Sequence, residues 1–326
     1  MKRSALFFFV FLTPLLATSL GAQTPEKVWR LGLLAPSHEA LRAFLAIALP
    51  ALAQHGFVQG RNLLVEGQSG AREDLPDLAK WLVANKPDAI VAMSESAIIP
   101  VQRATTVIPI VMSFIGRDPV GLGLVTSWAR PGGNVTGLVI LTPELEVKRF
   151  ELLLEAVPGA RRIGVLAPRW KEPEQDPRLV ALQGAAKRMG VRLVETFAAG
   201  PAEYPAAFSA LRAASVQALL IAGSPEFFRD GVTLAQLALD TGLPTIGQWR
   251  EMATQGCLLG YGPSFQELLR QTVEDYVVKI FKGAKPGDLP LAGPTRFQFA
   301  INGKTAQSLH LTVPASVVLR ADEVIN

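Results

Sequence analysis

The stretch RDPVGLGLVTSWARPGGNVTG, residues 117–137, decides how this chain divides. It follows an apolar run at residues 108–114 that is typical of a buried strand, and it carries Gly132 and Gly133 behind a proline. A second short strand comes next, and then an amphipathic helical pattern at residues 144–156. This order of elements is typical of the end of one lobe and the start of a crossing to another.

The N-terminus has the order of features found in secretory signals. A basic pair, Lys2 and Arg3, precedes an apolar run, and a cluster of small residues closes it. The run is interrupted by Pro14 and is shorter than the ~20 apolar residues that a spanning helix needs, which favours a cleaved signal over an anchor. We therefore predict a signal peptide at residues 1–22 and a periplasmic mature protein beginning near Gln23.

Composition argues against several classes of function. The formal charge is +4, and it falls to about +2 if Lys2 and Arg3 leave with the signal, so a basic surface for nucleic acid is not expected. Cys257 is the single cysteine of the sequence and lies in an apolar segment, which favours a small buried hydrophobe over a nucleophile. The three histidines do not have the spacing of metal ligands, so we expect neither a metal nor a cofactor.

Short apolar runs alternate with amphipathic helical patterns along the rest of the chain. Strands are predicted at residues 29–35, 63–66, 89–93, 108–114, 162–167, 191–196, 218–222, 244–247 and 297–301. Strands that are apolar on both faces and separated by helices indicate parallel sheets covered on both sides. We predict an α/β fold of two doubly wound parallel-sheet lobes joined by a hinge. The first lobe is predicted to contain residues 23–141 plus 262–283, and the second residues 142–261 plus 284–326.

Ligands of open parallel sheets bind beyond the carboxyl ends of the strands, and two facing lobes can close on a ligand. Residues just after the predicted strands are therefore the candidates for ligand binding. In the first lobe these are Pro36, Ser37, Ser94, Glu95, Ser96, Phe114 and Asp118, and in the second they are Trp170, Glu226, Phe227, Gln248 and Arg250. This mixture suits a small polar or zwitterionic ligand with an apolar part.

Several of these residues also have a purely structural interpretation. Asp118 followed by proline is a typical helix start, and Ser94 with its two polar neighbours is compatible with a helix cap. Trp170 and Phe227 are compatible with surface or core aromatics, and Arg250 with an exposed ion pair of little energetic value. The sequence leaves both readings open at each of these positions.

Seven motifs carry a resemblance to a known family. They are RLGLLAP (30–36), IPIVMSFIGRDPVGLGLV (108–125), RPGGNVTGL (130–138), LEVKRFELLLEAVPGARRIGVL (145–166), KGAKPGDLP (282–290), FQFAINGKTAQSLHLTVP (297–314) and RADEVIN (320–326). In them the mature chain resembles ABC transporter substrate-binding proteins related to tryptophan- and tyrosine-binding components, which have the type I periplasmic binding protein fold. It departs from that pattern at APRWKEP (167–173) and GSPEFF (223–228), in loops that select the ligand.

The resemblance implies a monomeric periplasmic protein that captures a small solute between its lobes without chemistry. An aromatic or other amino acid is the implied cargo, and an ABC permease with its ATPase are the implied partners. Two alternatives stay open at this point: a receptor module that signals to a membrane kinase, and an enzyme built on the same fold. The exported N-terminus and missing DNA-binding helices disfavour a transcription-factor effector domain.

Overall fold

The computed structural model describes residues 27–169 and 176–326. The strands are β1 Trp29–Ala35, β2 Leu63–Ser69, β3 Ala89–Ala92, β4 Ile110–Ile115, β5 Val135–Val139, β6 Arg162–Pro168, β7 Arg192–Ala198, β8 Ala218–Ile221, β9 Thr245–Gly247, β10 Leu259–Pro263, β11 Phe297–Asn302 and β12 Glu323–Ile325. The helices that come before β10 in the chain are α1 His38–Gln54, α2 Leu75–Ala84, α3 Glu95–Ala104, α4 Thr142–Ala156, α5 Pro177–Arg188, α6 Tyr204–Ala213, α7 Pro225–Arg229, α8 Gly231–Asp240 and α9 Arg250–Thr254.

The remaining helical elements follow β10. They are α10 Phe265–Gln271, a π-helical turn Thr272–Val277, α11 Val278–Phe281, a 3-10 turn Pro286–Asp288, α12 Gly303–Ser308 and α13 Ala315–Val318. The π turn interrupts an otherwise α-helical segment over residues 265–281. The short strands β10 and β12 and the helices α9, α12 and α13 were not predicted, because each is too short for a clear apolar period.

The first sheet, within the described part of the chain, has the strand order β2-β1-β3-β4-β5 and is parallel throughout. Its two faces carry separate hydrophobic clusters. Leu31 and Leu33 pack with α1, α10 and α11 on one face, while Leu34 and Ile90 pack with α2 and α3 on the other. Burial on both faces explains why these strands are apolar without alternation.

The second sheet, over the same described residues, has the order β12-β11-β10-β9-β8-β6-β7. Its pairs are parallel except β10 with β11, which is antiparallel. Ile163 and Val165 face α4 and α5, while Leu219 and Ile221 face α6 and α8. The predicted architecture of two α/β lobes is therefore confirmed, with one antiparallel pair added by the return of the chain in β11.

The chain crosses between the sheets after β5, after β10 and before β11. The segment 284–292 remains with the first sheet: the Thr136 hydroxyl donates to the Leu289 carbonyl at 2.7 Å, and the Val139 N–H donates to the Ala292 carbonyl at 2.9 Å. The sequence placed this segment in the second lobe, so the predicted boundary at residue 283 is corrected to a crossing after Ala292. The physical reason is that β5 is an edge strand, whose free polar groups this segment satisfies.

The predicted signal peptide, residues 1–22, lies outside the described residues. Across residues 27–169 and 176–326, the structure contains no helix with the length and apolar character needed to cross a membrane.

Candidate functional site

Four aromatic side chains meet where the carboxyl ends of the two sheets approach each other. Phe114 of β4 lies with its ring 5.8 Å from that of Trp249, which follows β9 in the second sheet. Phe265, at the start of α10, is 6.3 Å from Phe114, 5.5 Å from Trp249 and 6.0 Å from Phe228. We name these four residues the interlobe aromatic cluster. Trp249 is buried, whereas the other three rings are half-buried and leave aromatic surface available.

Hydroxyl and carboxylate groups follow the strands of the first sheet. The Ser94 hydroxyl accepts from the Ala97 N–H at 3.3 Å, which caps α3, and it lies 2.8 Å from the Ser96 hydroxyl. Glu95 accepts from the Arg117 guanidinium at 2.8 Å. Ser94 is thus a helix cap at the end of a central strand, so the two interpretations of this residue are compatible.

Other predicted residues of the first lobe also have backbone partners. Ser37 caps α1 by accepting from the Ala40 N–H at 3.2 Å, and Pro36 before it is half-buried. Asp118 accepts from the N–H groups of Val120 and Gly121 at 3.1 and 2.9 Å. Those bonds form an exposed turn rather than the start of an α-helix, because Gly121 and Gly123 follow within one turn.

The predicted residues of the second lobe have different surroundings. Trp170 lies outside the described residues. Gln248 donates to the Ser224 carbonyl at 3.0 Å, and Glu226 is half-buried in α7. Arg250 is held at 2.6 Å from Glu323 of β12, so its charge is already paired within the second sheet.

Phe227 does not line the cleft, contrary to the prediction from sequence. It is 1% exposed and packs edge-on against Tyr204 in the core under the second sheet. The hydroxyl of Ser224 caps α7 by accepting from the Phe227 N–H at 3.0 Å, and the helical turn then directs Phe228 toward Phe265. Adjacent residues of a helix point in different directions, so only one of two neighbouring phenylalanines reaches the cleft.

A buried ion pair lies behind the second-lobe strand ends and was missed by sequence reasoning. Glu146 is fully buried and accepts from the Gly223 N–H at 2.8 Å, and Arg149 is 3% exposed and 3.2 Å from Glu146. Arg149 also donates to the Tyr261 carbonyl at 2.7 Å and to the Gln248 carbonyl at 3.1 Å. The pair therefore ties α4 to the residues that follow β8 and β9 and to the middle of β10. An i,i+3 charge pair in an amphipathic helix usually indicates an exposed face, so no sequence signal marked it.

The charges beside the cleft influence one another. Burial acts to raise the pKa of Asp176, but its hydrogen bond to Arg178 and the charges of Arg178 and Arg117 outweigh burial and hold that pKa below its ordinary value. Arg117 follows β4 of the first sheet, whereas Asp176 begins α5 of the second. The two lobes are thus near enough for charges on one to stabilise charges on the other.

The described residues contain no group of three histidine, cysteine, aspartate or glutamate side chains placed to hold a metal ion. Cys257 is fully buried, and burial raises the pKa of its thiol to about 11. Its interpretation as a small buried hydrophobe is confirmed.

The two α/β lobes meet at the carboxyl ends of their sheets, where an interlobe cleft lies. The family model described as ABC transporter substrate binding protein matches residues 34–325. The chain therefore belongs to the ABC transporter substrate-binding protein family.

Individual relatives agree with this assignment. A tyrosine-binding protein from Clostridioides difficile (strain R20291) is 27% identical over 267 residues, which is 81% of this chain and 75% of the relative. A crystal structure of a conserved domain protein from Vibrio cholerae superimposes with a TM-score of 0.81 at 26% identity, covering 91% of this chain and 100% of that one. An ABC domain from Streptococcus pneumoniae in complex with L-Trp has the same fold, with a TM-score of 0.80 at 24% identity over 92% and 100% of the two chains.

Proposed function

We propose that this protein is the extracytoplasmic solute-binding component of an ABC importer and that its cargo is an amino acid with an aromatic side chain. The solute is captured in the cleft between the lobes, and the closed protein delivers it to a permease whose ATPase powers uptake. Residues 1–22 act as a cleaved signal peptide, and the mature protein works as a monomer in the periplasm.

The interlobe aromatic cluster is the observation that carries this proposal. Phe114 comes from the first lobe, Phe228 and Trp249 come from the second lobe, and Phe265 lies at the crossing between them. Partly exposed rings offer an aromatic solute offset or edge-to-face contacts that strengthen as the lobes close. Such contacts would differ between the open and closed forms, which is what a ligand needs in order to shift the equilibrium toward closure.

The polar groups around the cluster suit the two charged ends of an amino acid. Arg117 and the hydroxyls of Ser94 and Ser96 supply donors on the first lobe, and Asp118 and Glu226 supply carboxylates on either side. Charged hydrogen-bonding groups beside apolar rings are the usual composition of a site for a small zwitterion. The tyrosine-binding relative supports the same class of cargo.

The test uses the mature chain from residue 23, unfolded and refolded to remove carried-over solute. L-Tyr, L-Trp and L-Phe are titrated by calorimetry beside L-Leu and L-Glu, and hits are checked by thermal unfolding. A ligand at a hundred times its dissociation constant adds ~2.7 kcal/mol to the free energy of unfolding. We expect at least one of the three aromatic amino acids to bind, and we expect L-Leu and L-Glu to bind more weakly or not at all.

Two variants test whether the amino acid binds in the cleft. Asp118→Ala should weaken it, whereas Asp77→Ala, on an exposed face of α2, should leave it unchanged. Deletion of the gene should abolish uptake of the same labelled solute by the cells that make the protein. A folded protein that binds none of the aromatic amino acids would overturn the proposed cargo, and normal uptake after deletion would overturn the proposed transport role.

A further inference from the structure

Strand β4 breaks the alternation expected of a regular strand. Ile110 and Met112 pack on the face of the first sheet covered by α2 and α3, and Val111 packs on the face covered by α1 and α10. Regular alternation would put Phe114 with Met112 and Ile115 with Val111. The opposite is observed, since Phe114 packs on the α10 face and Ile115 packs on the α2 and α3 face.

A bulge in β4 explains this reversal. Met112 is paired with Gly137 of β5, and Ile115 is paired with Val139, so β4 advances three residues while β5 advances two. One extra residue in a strand turns the following side chains to the other face. Gly137 adopts φ +135°, and a Cβ there would lie 2.2 Å from the Met112 carbonyl oxygen. Only glycine allows β5 to approach the bulge this closely.

The bulge has a hydroxyl partner on the neighbouring helix. The Thr272 hydroxyl lies 3.1 Å from the Ser113 carbonyl oxygen and 2.8 Å from the Leu268 carbonyl oxygen, and its oxygen is 3.4 Å from the Ser113 hydroxyl. Ser113 and Thr272 are both fully buried. Ser113 lies where the β4–β5 register shifts, and its carbonyl is within reach of the Thr272 hydroxyl, whose single hydrogen is shared with the Leu268 carbonyl.

Thr272 reaches the bulge from an irregular position in its own helix. It is the first residue of the π-helical turn, which interrupts an otherwise α-helical segment. π turns and bulges both displace side chains from their regular directions. The two irregularities face each other, directly behind Phe114 and its contacts with Trp249 and Phe265.

We propose that Thr272 is a positioning residue for the solute site: its hydroxyl stabilises the β4 bulge, and the bulge holds Phe114 in the interlobe aromatic cluster. The predicted effect of Thr272 on solute affinity rests on the proposed function, whereas its predicted effect on the position of Phe114 does not. The placement of Phe114 is a property of the ligand-free protein and can be measured separately.

The main test replaces Thr272 by valine, which keeps the shape and removes the hydroxyl. The near-ultraviolet circular dichroism of the ligand-free protein sums the signals of five tryptophans, and Trp249 is the one that contacts Phe114. Phe114→Leu therefore gives the reference change for the loss of the Phe114 ring beside Trp249. We expect Thr272→Val to change the spectrum in the same direction as Phe114→Leu, and Thr272→Ser to keep the wild-type spectrum. If Thr272→Val does not fold, Thr272→Ala takes its place, because it also lacks the hydroxyl and introduces no bulk.

Thr136→Val is the matched control. Thr136 is also a fully buried threonine of the first lobe, and its hydroxyl donates to the Leu289 carbonyl at 2.7 Å rather than to a carbonyl of β4. We expect its spectrum and solute affinity to match those of the wild type.

The affinity measurement uses the aromatic amino acid that binds the wild type most tightly. Loss of the Thr272 hydroxyl should weaken binding by about tenfold, the effect of one misplaced contact. A wild-type spectrum in a folded Thr272→Val or Thr272→Ala variant would overturn the positioning role. A changed spectrum with unchanged affinity would confirm the placement of Phe114 and overturn its contribution to solute binding. If no solute binds the wild type, the proposed function fails and the spectra alone decide the positioning role.

Discussion

Removal of the Arg149 side chain tests the role of the buried pair behind the cleft. Arg149→Met keeps an unbranched side chain of similar length, but it leaves the Glu146 carboxylate buried without a counter-charge. It also removes the donors to the carbonyl oxygens of Tyr261 and Gln248. Breaking a buried ion pair from one side typically costs about 3–5 kcal/mol, because the remaining charge cannot be solvated.

We expect Arg149→Met to lower the free energy of unfolding by an amount in that range. The measurement is urea unfolding followed both by far-ultraviolet circular dichroism and by tryptophan fluorescence, since coincident transitions are needed for a two-state free energy. Lys148→Met is the matched control: it also replaces a positive charge by methionine, one residue earlier in α4, at a side chain that is 42% exposed. It should change the free energy by no more than about 0.5 kcal/mol.

A double variant separates the lost charge from the lost packing. In Glu146→Leu with Arg149→Met, neither charge is buried, and buried pairs replaced by apolar side chains are often no less stable. The Gly223 N–H loses its acceptor in the double variant, so stability should be recovered only in part. We expect the double variant to be more stable than Arg149→Met by at least about 1 kcal/mol. The assignment of Glu146 and Arg149 as a stabilising buried ion pair would be refuted by either of two results. The first is an unfolding free energy of Arg149→Met within about 1 kcal/mol of the wild type, and the second is a double variant that is no more stable than Arg149→Met.

Two further predictions concern titratable groups. The pKa of Asp176 is lowered in the folded protein, so its contribution to stability is present above its unfolded pKa of ~3.9 and is lost as the pH falls through the folded value. The difference in unfolding free energy between the wild type and Asp176→Asn should therefore be constant above about pH 5 and shrink as the pH falls below ~3.9; a difference that does not change below that pH would contradict the ion-pair assignment. Cys257 is fully buried and its pKa is raised to about 11, so a disulfide reagent such as DTNB should fail to modify the native protein near neutral pH and should modify it fully in urea. Rapid modification of the native protein would show that this segment is open to solvent.

The fold followed closely from local sequence patterns. β1 was predicted to the residue, and the ends of β6 and α4 were predicted within two residues, because the apolar period is a property of neighbouring residues. Residues after strand ends also identified Phe114, Ser94 and Gln248 as candidates. What these patterns could not show is which of two adjacent aromatic residues, Phe227 or Phe228, faces the cleft.

The sequence by itself determined two α/β lobes, their order along the chain, and the loops that border the cleft. The tertiary structure alone decided that residues 284–292 complete the first sheet, that Glu146 and Arg149 are buried together, and that a bulge turns Phe114 toward Trp249. Each of these depends on contacts between residues far apart in the chain. A local pattern records a residue's preference for a helix, a strand or the interior, whereas its partner is fixed only when the lobes and their crossings have packed.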